Sequence, residues 1–161
     1  MPRGWLLGFL LVGLVGSSAC RAEPDATQAL TVTDVVTGWL DKGIVDGQNK
    51  LVPTISLKVK NGADRPLSYL QLNAVFRIID DTEELGSKVI WATQGTDLEP
   101  GASLGPFNLS SDLGYSSQAP RLQMLQHAQF KDAMVELFVK HGSRQWARLG
   151  EYRVTRQLLS K

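Results

Sequence analysis

Apolar and polar residues alternate over most of the chain beyond residue 29, and this period of two is typical of β-strands rather than helices. Within the longest predicted strand, 67–79, every second side chain from 70 to 78 is apolar, so one face is expected to carry Leu70, Leu72, Ala74, Phe76 and Ile78. Similar stretches lie at 30–40, 55–60, 88–93, 133–140 and 145–155, with turn residues such as Asn, Gly and Asp between them. About seven short strands of this kind predict an all-β fold, an antiparallel β-sandwich forming a single domain.

Residues 110–129 form the one long stretch without strand alternation, and 119–129 has helical spacing that places Leu122 and Leu125 on one face. We therefore expect one short helix inside a long loop. A connection of this length in a compact domain is usually functional or mobile. Its apolar residues predict a binding surface composed of Tyr115, Leu122, Met124 and Leu125. The same side chains would also suit a cap that closes one end of the sandwich, so both interpretations stay open.

The N-terminus has the layout of an export signal. Residues 1–19 combine one cation, an apolar run of about a dozen residues and a small-residue end, which is typical of a signal peptide. The run is short for a membrane-spanning helix, which needs about 20 apolar residues. We expect a signal peptide at 1–19, although an uncleaved anchor remains an alternative.

The single cysteine, Cys20, directly follows Ser18 and Ala19. This arrangement resembles the lipobox of bacterial lipoproteins, with Ser17 at the position that usually holds leucine. The resemblance implies that Cys20 is lipidated, that 20–28 form a tether and that 29–161 form the sandwich domain. The expected location is exported and membrane-anchored, on the periplasmic side or the cell surface, and the outer membrane if the cell is Gram-negative. Cleavage after Ala19 or Ala22 without lipidation is the alternative.

A second resemblance concerns the fold. Residues 76–80, Phe-Arg-Ile-Ile-Asp, resemble the Phe-x-Leu-Tyr-Asp signature of the FxLYD group of exported domains, with Ile79 in place of the tyrosine. Residues 98–101, Leu-Glu-Pro-Gly, resemble that group's later Leu-x-Pro-Gly stretch, and Asn61-Gly62 suits its strand exit. The resemblance covers roughly 52–109 and extends loosely to 155. It implies an immunoglobulin-like β-sandwich and says little about activity.

Overall charge and cysteine content exclude several classes of function. The 161 residues contain 17 Lys and Arg against 16 Asp and Glu, a formal net charge of +1, so no long-range field recruits nucleic acid. One cysteine excludes an internal disulfide framework and any CxxC site. Arginines of the last hairpin alternate with Trp146 and Tyr152, which suits cross-strand ion pairs or, alternatively, a nucleic-acid or glycan-binding face. We expect no nucleic-acid partner.

Motifs for catalysis, metal binding and cofactor binding are missing from the sequence. No serine lies in Gly-x-Ser-x-Gly, no Gly-rich loop could hold a phosphate, and His127 and His141 lack zinc-ligand spacing. We expect His141 to be a solvated turn residue. The acidic run at 80–84 suits a soluble hairpin tip better than a calcium loop. We therefore expect no catalytic residues, no metal and no cofactor.

Three tryptophans, Trp39, Trp91 and Trp146, fall in or beside predicted strands, and we expect at least two of them in the core. An outward-facing pair would instead favour glycan binding. The expected function is a non-catalytic interaction module of the bacterial cell envelope. Its partner would be an envelope protein or a glycan, with a lipid anchor in the membrane. An envelope enzyme or accessory subunit, or a small-ligand or glycan-binding protein, remains the alternative.

Overall fold

The computed structural model describes residues 25–159, which fold into two antiparallel β-sheets packed face to face. In chain order the elements are α1 (Ala26–Ala29), β1 (Leu30–Val45), β2 (Gln48–Asn61), β3 (Leu70–Ile78), β4 (Glu84–Trp91), β5 (Ser103–Ser110), β6 (Tyr115–Ser117), α2 (Arg121–Gln126), β7 (Ala133–His141), β8 (Ala147–Arg153) and β9 (Leu158–Leu159). The first sheet has the order β5-β2-β1-β9, with β6 also paired to β2, and the second has the order β4-β3-β7-β8. The short β1–β9 pair is parallel.

The predicted all-β class is confirmed, but the number of strands is not. The described residues contain nine strands rather than about seven. The additional strands β6 and β9 have three and two residues, which is too short to show an alternating pattern. β6 lies inside the stretch that was predicted to contain no strand. The helix is also shorter than the predicted 119–129, because the backbone is already extended at His127.

The core lies between the two sheets. The five alternating apolar residues of 67–79 are all buried, as predicted, because β3 is an inner strand with one face against the first sheet. Buried side chains of β2 and β7 complete this layer, among them Ile55, Leu57 and Leu137. The alternation therefore identified the correct face of the longest predicted strand.

The first two strands define the long axis of the domain. β1 pairs with β2 from Leu30↔Asn61 at one end to Val45↔Gln48 at the other. A strand rises about 3.3 Å per residue, so Leu30 and Asp41 lie on the order of 30 Å apart. We call the end at Leu30 the proximal end and the end beyond Asp41 the distal end. Residue 25 lies at the proximal end, whereas β6 pairs with β2 at the distal end.

The folded part begins before the predicted boundary at residue 29. Residues 26–28, assigned above to the tether, belong to α1, and Ala26 is buried. The Asp25 carboxylate accepts a hydrogen bond from the Thr27 backbone N–H and caps this helix. Cys20 and the predicted signal peptide lie outside the described residues. Within 25–159 no helix has the length and apolarity needed to cross a membrane.

At the proximal end, the buried side chain of Asn61 joins two loops. Its amide donates hydrogen bonds to the carbonyls of Arg65 at 2.8 Å and Leu98 at 2.9 Å. Its side-chain oxygen accepts from the Ala63 N–H at 2.9 Å. Three backbone groups from two loops thus share one buried side-chain partner, and Asn61 itself has both its amide nitrogen and its oxygen satisfied. Asn61 therefore fixes the connection between the two sheets.

Candidate functional site

The predicted binding segment, 110–129, covers the distal end of the sandwich. Its first anchor is β6, in which Tyr115 pairs with Leu51 of β2. Gly114 precedes it and lies so close to the β2 backbone that an added Cβ would overlap the Leu51 carbonyl oxygen. A glycine is required here because any larger residue would push β6 away from β2. The glycine at this position thus allows β6 to pair with β2 at the start of the site.

Polar contacts hold α2 against the first sheet. Arg121 forms an ion pair with Asp41 of β1. The Asn49 side-chain amide donates to the Ala119 carbonyl at 3.0 Å, and the Ala119 N–H donates to the Ser117 hydroxyl at 3.0 Å. These contacts join the distal halves of β1 and β2 to the segment. The short helix is therefore stabilised by its contacts with the sheet and not only by its own backbone hydrogen bonds.

Three aromatic rings pack together beneath the segment. The centroid of Trp39 lies 5.5 Å from that of Tyr115 and 4.7 Å from that of Phe130, and the last two rings are also 4.7 Å apart. Such tilted and edge-on pairs stabilise by about 0.5–1.5 kcal/mol each beyond their buried area. Partial burial raises the pKa of the Tyr115 phenol above its ordinary value of 10.0, and the hydroxyl donates a hydrogen bond to the Lys131 carbonyl at 3.4 Å. These packed rings form a rigid surface beneath the segment.

Arg156 fixes the segment between α2 and β7. Its guanidinium donates to the carbonyls of Leu125 and Phe130, at 3.2 and 2.9 Å, and lies 5.2 Å from the centre of the Phe130 ring. It also contacts the Asp132 carboxylate at 2.6 Å. The hydrogen bond from Arg156, followed by that from Arg153, holds the pKa of Asp132 below its ordinary value of 3.8. The carboxylate is therefore charged at neutral pH and keeps Arg156 in place.

A cavity of about 400 Å³ opens at the distal end between these elements. It is lined by Tyr115, Ser116, Ser117, Ala119, Met124, His127, Gln129 and Phe130. Met124 and Phe130 are buried, whereas Ser116, His127 and Gln129 are exposed. A depression with apolar and aromatic walls and a few polar groups is the usual form of a binding site in proteins. The arrangement suits an apolar side chain or ring that carries a polar edge.

The four predicted binding residues do not form one surface. Tyr115 and Met124 line the cavity, and Leu125 is buried in the core. Leu122 is 61% exposed, so the predicted helical face that joined Leu122 to Leu125 is wrong. The helix instead buries its adjacent residues Met124 and Leu125, because a six-residue helix has too few turns to present a regular stripe.

Sequence reasoning did not identify Phe130 and Arg156 as parts of the site. Phe130 follows the predicted helix by one residue, and its aromatic partner Trp39 is 91 positions away in the chain. The sequence pattern places Arg156 with the arginines of the last hairpin, for which it predicts cross-strand ion pairs. Phe130, an isolated phenylalanine among polar residues, is the one local signal that the loop after α2 packs against the core.

His127 directly follows the last residue of α2, and its Nδ1 accepts a hydrogen bond from the Gln129 N–H at 3.2 Å. The prediction that His141 is a solvated turn residue is wrong, since His141 is the buried last residue of β7. The turn begins one residue later, at Gly142. In the described part of the chain, no group of three or more His, Cys, Asp or Glu is placed to hold a metal ion.

The tryptophan prediction is also wrong. Trp39 is fully buried, but Trp91 is 50% and Trp146 is 37% exposed, so one of the three belongs to the core rather than two. Trp91 ends an edge strand and Trp146 precedes the other edge strand of the second sheet, whose outer face is not covered by a third layer within residues 25–159. The arginines of the last hairpin do form ion pairs, Arg148 with Glu136 and Glu151 and Arg153 with Asp132.

Comparison with known proteins yields similarity of structure alone. The chain matches no protein-family model and no curated protein. A Northeast Structural Genomics Consortium target, SoR45, is similar with a TM-score of 0.44 and 10% identity over 81% of this chain and 89% of that chain. A Bordetella pertussis target described as an ApaA protein has a TM-score of 0.43 and 13% identity over 79% of this chain and 93% of that chain. These values are too low to carry an argument about function.

Proposed function

We propose that this protein is an exported, non-catalytic interaction module of the bacterial cell envelope, held to a membrane by lipidated Cys20. In this proposal the domain is an immunoglobulin-like sandwich of the FxLYD type, and its distal cavity binds an exposed apolar or aromatic side chain of another envelope protein. The tether precedes residue 25 and would position the proximal end near the membrane, leaving the distal end free.

One observation carries the proposal: the cavity lies at the end of the sandwich opposite to the point where the chain enters it. Leu30 and Asp41 are separated by on the order of 30 Å along β1, and Arg121 of the cavity-bearing segment is paired with Asp41. A site at that distance from the anchor is accessible to large partners. Its walls are fixed by the aromatic cluster and by Arg156, so little ordering is required on binding.

The anchor is tested by fractionating cells that produce Cys20→Ser. We expect this variant to lose acyl labelling and to move to the soluble fraction, because Cys20 is the only thiol in the chain. A variant that remains in the membrane after a carbonate wash would contradict lipidation and favour an uncleaved N-terminal helix.

The binding site is tested separately in the same Cys20→Ser background. Ser116→Tyr adds a ring at an exposed position of the cavity lining and should reduce re-association of the purified protein with isolated envelopes at least tenfold. Ser103→Tyr is the matched control, since Ser103 is also an exposed strand serine but lies near the proximal end. Equal re-association of both variants, with unchanged thermal stability, would contradict a partner site in the cavity.

A further inference from the structure

The outer face of the second sheet carries two exposed aromatic side chains, Trp91 (50%) and Trp146 (37%). Trp91 pairs with Gln71 across β4 and β3, and Gln71 pairs with Lys140 across β3 and β7. Continuing the β7–β8 register by one residue places Trp146 opposite Lys140. Paired residues share a face, so these four positions form one row across the sheet. Three strand spacings place the two tryptophan positions roughly 14 Å apart.

The next row continues the same surface. Asn73 pairs with Val89 on one side and with Phe138 on the other, and Phe138 pairs with Arg148. Val89 is 49% exposed. We call the two rows together the tryptophan face; it consists of Trp91, Gln71, Lys140, Trp146, Val89, Asn73, Phe138 and Arg148. Aromatic rings, amides and cations therefore share a surface that spans all four strands of the sheet.

The charges on the tryptophan face have one sign. Its two ionisable residues, Lys140 and Arg148, are both cations. Arg148 is paired with Glu136 and Glu151 of the row below. Within residues 25–159 no ion pair or hydrogen bond engages the Lys140 side chain. A cation without a partner, located between two tryptophan positions, is complementary to an anionic ligand.

Hydrogen-bonding capacity is also left over at this surface. The Asn73 side-chain oxygen is buried and accepts no hydrogen bond in the described part of the chain. The neighbouring Gln71 side chain has no partner within residues 25–159 either. Gln71 is the half-buried amide of this face that solvent can reach, and its side chain can exchange hydrogen bonds with the hydroxyl groups of a ligand.

We infer that the tryptophan face binds an acidic polysaccharide, with sugar rings stacked on Trp91 and Trp146 and a sugar carboxylate paired with Lys140. A pyranose ring combines an apolar C–H face with hydroxyl groups at its edge, which matches a surface of aromatic rings with an amide between them. An extended chain of sugars can reach both tryptophans, whereas a single sugar cannot. This site shares no residue with the lining of the cavity proposed above and does not depend on it.

The test is a titration of the purified full-length chain with polygalacturonate, followed by tryptophan fluorescence and calorimetry, with carboxyl-reduced polygalacturonate as the neutral probe. We expect binding to the acidic polymer that weakens as salt rises. Trp91→Ala and Trp146→Ala should each lower the affinity at least tenfold, whereas Trp91→Phe should retain most of it. Lys140→Gln should lower affinity for the acidic polymer about fivefold and leave the neutral polymer unaffected.

Two exposed valines provide a matched control. Val89→Ala lies within the tryptophan face and should weaken binding, whereas Val36→Ala, on the first sheet and 46% exposed, should not. Thermal melts of each variant confirm that it is folded. The inference is overturned if polygalacturonate does not bind, or if it binds equally to both tryptophan variants. It is also overturned if the same variants abolish self-association or binding to phosphatidylglycerol vesicles in place of polymer binding.

Discussion

Replacing Asn61 by alanine tests whether one buried side chain determines how the chain crosses between the sheets. The substitution removes the two hydrogen bonds that the amide donates, to Arg65 and Leu98, and the one that it accepts from Ala63. The Leu98 carbonyl keeps a second donor, the Leu67 N–H at 3.0 Å. The Ala63 N–H and the Arg65 carbonyl lose this partner.

The magnitude follows from these contacts. Each hydrogen bond contributes about 0.5–1.5 kcal/mol, and a buried group left unpaired costs about 1–3 kcal/mol. The side chain is fully buried, so the lost volume adds a small cavity cost. We expect Asn61→Ala to lower the free energy of unfolding by about 2–4 kcal/mol. Asn61→Asp has nearly the same shape but turns an oxygen toward two carbonyls, and it should cost at least as much.

Urea unfolding followed by tryptophan fluorescence measures the change, because Trp39 is buried and reports loss of the core. Asn108→Ala is the control: Asn108 is exposed on β5 and should change the free energy by less than about 0.5 kcal/mol. If Asn61→Ala costs no more than Asn108→Ala, or if Asn61→Asp is neutral, the role assigned to this side chain is incorrect.

Three further predictions concern the core and the site. Phe76→Ala should lower the free energy of unfolding by about 3–5 kcal/mol, because the ring is fully buried. Arg77→Ala, on the opposite face of β3, should lower it by about 1 kcal/mol or less. Equal losses in thermal or urea unfolding would show that the face assigned to the core is wrong. Gly114→Ala should strongly destabilise the protein in the same unfolding experiments because its Cβ would overlap the β2 backbone; a melting temperature within a degree or two of the original would contradict that contact. The folded-state pKa of Asp132 is lowered by Arg156 and then Arg153, so its stabilising contribution is present above about pH 4 and is lost as pH falls through the lowered pKa. Asp132→Asn should therefore flatten the loss of stability in acid, and an unchanged acid profile would contradict the Arg156 contact.

The elements that the sequence predicts are those whose burial follows a local period. β3 lies between two strands and against the first sheet, so alternation at 70–78 was sufficient to identify Phe76 as a core residue. Alternation cannot say whether the second face of a sheet is covered, and Trp91 was therefore misassigned. The same limit applies to strands β6 and β9, whose two or three residues contain no period.

The sequence predicts which segment of the chain carries the candidate site, but it does not predict most of the residues that form the site. The length and apolar content of 110–129 identified the segment, and Tyr115 and Met124 line its cavity. The remaining determinants are distant in sequence: Trp39 and Arg156 reach the segment through packing and through hydrogen bonds to its backbone carbonyls. No local spacing encodes such contacts, since they depend on how the two sheets bring separate parts of the chain together.

The central claim is that the distal cavity binds an envelope protein, and site-specific photo-crosslinking in intact cells tests it most directly. A photoreactive residue is introduced in turn at three exposed positions of the cavity lining, Ser116, His127 and Gln129, and at Ser103 near the proximal end as a control. We predict that the three cavity positions give an adduct with the same envelope protein and that Ser103 does not. No adduct at any cavity position, or the same adduct from Ser103, would contradict the account.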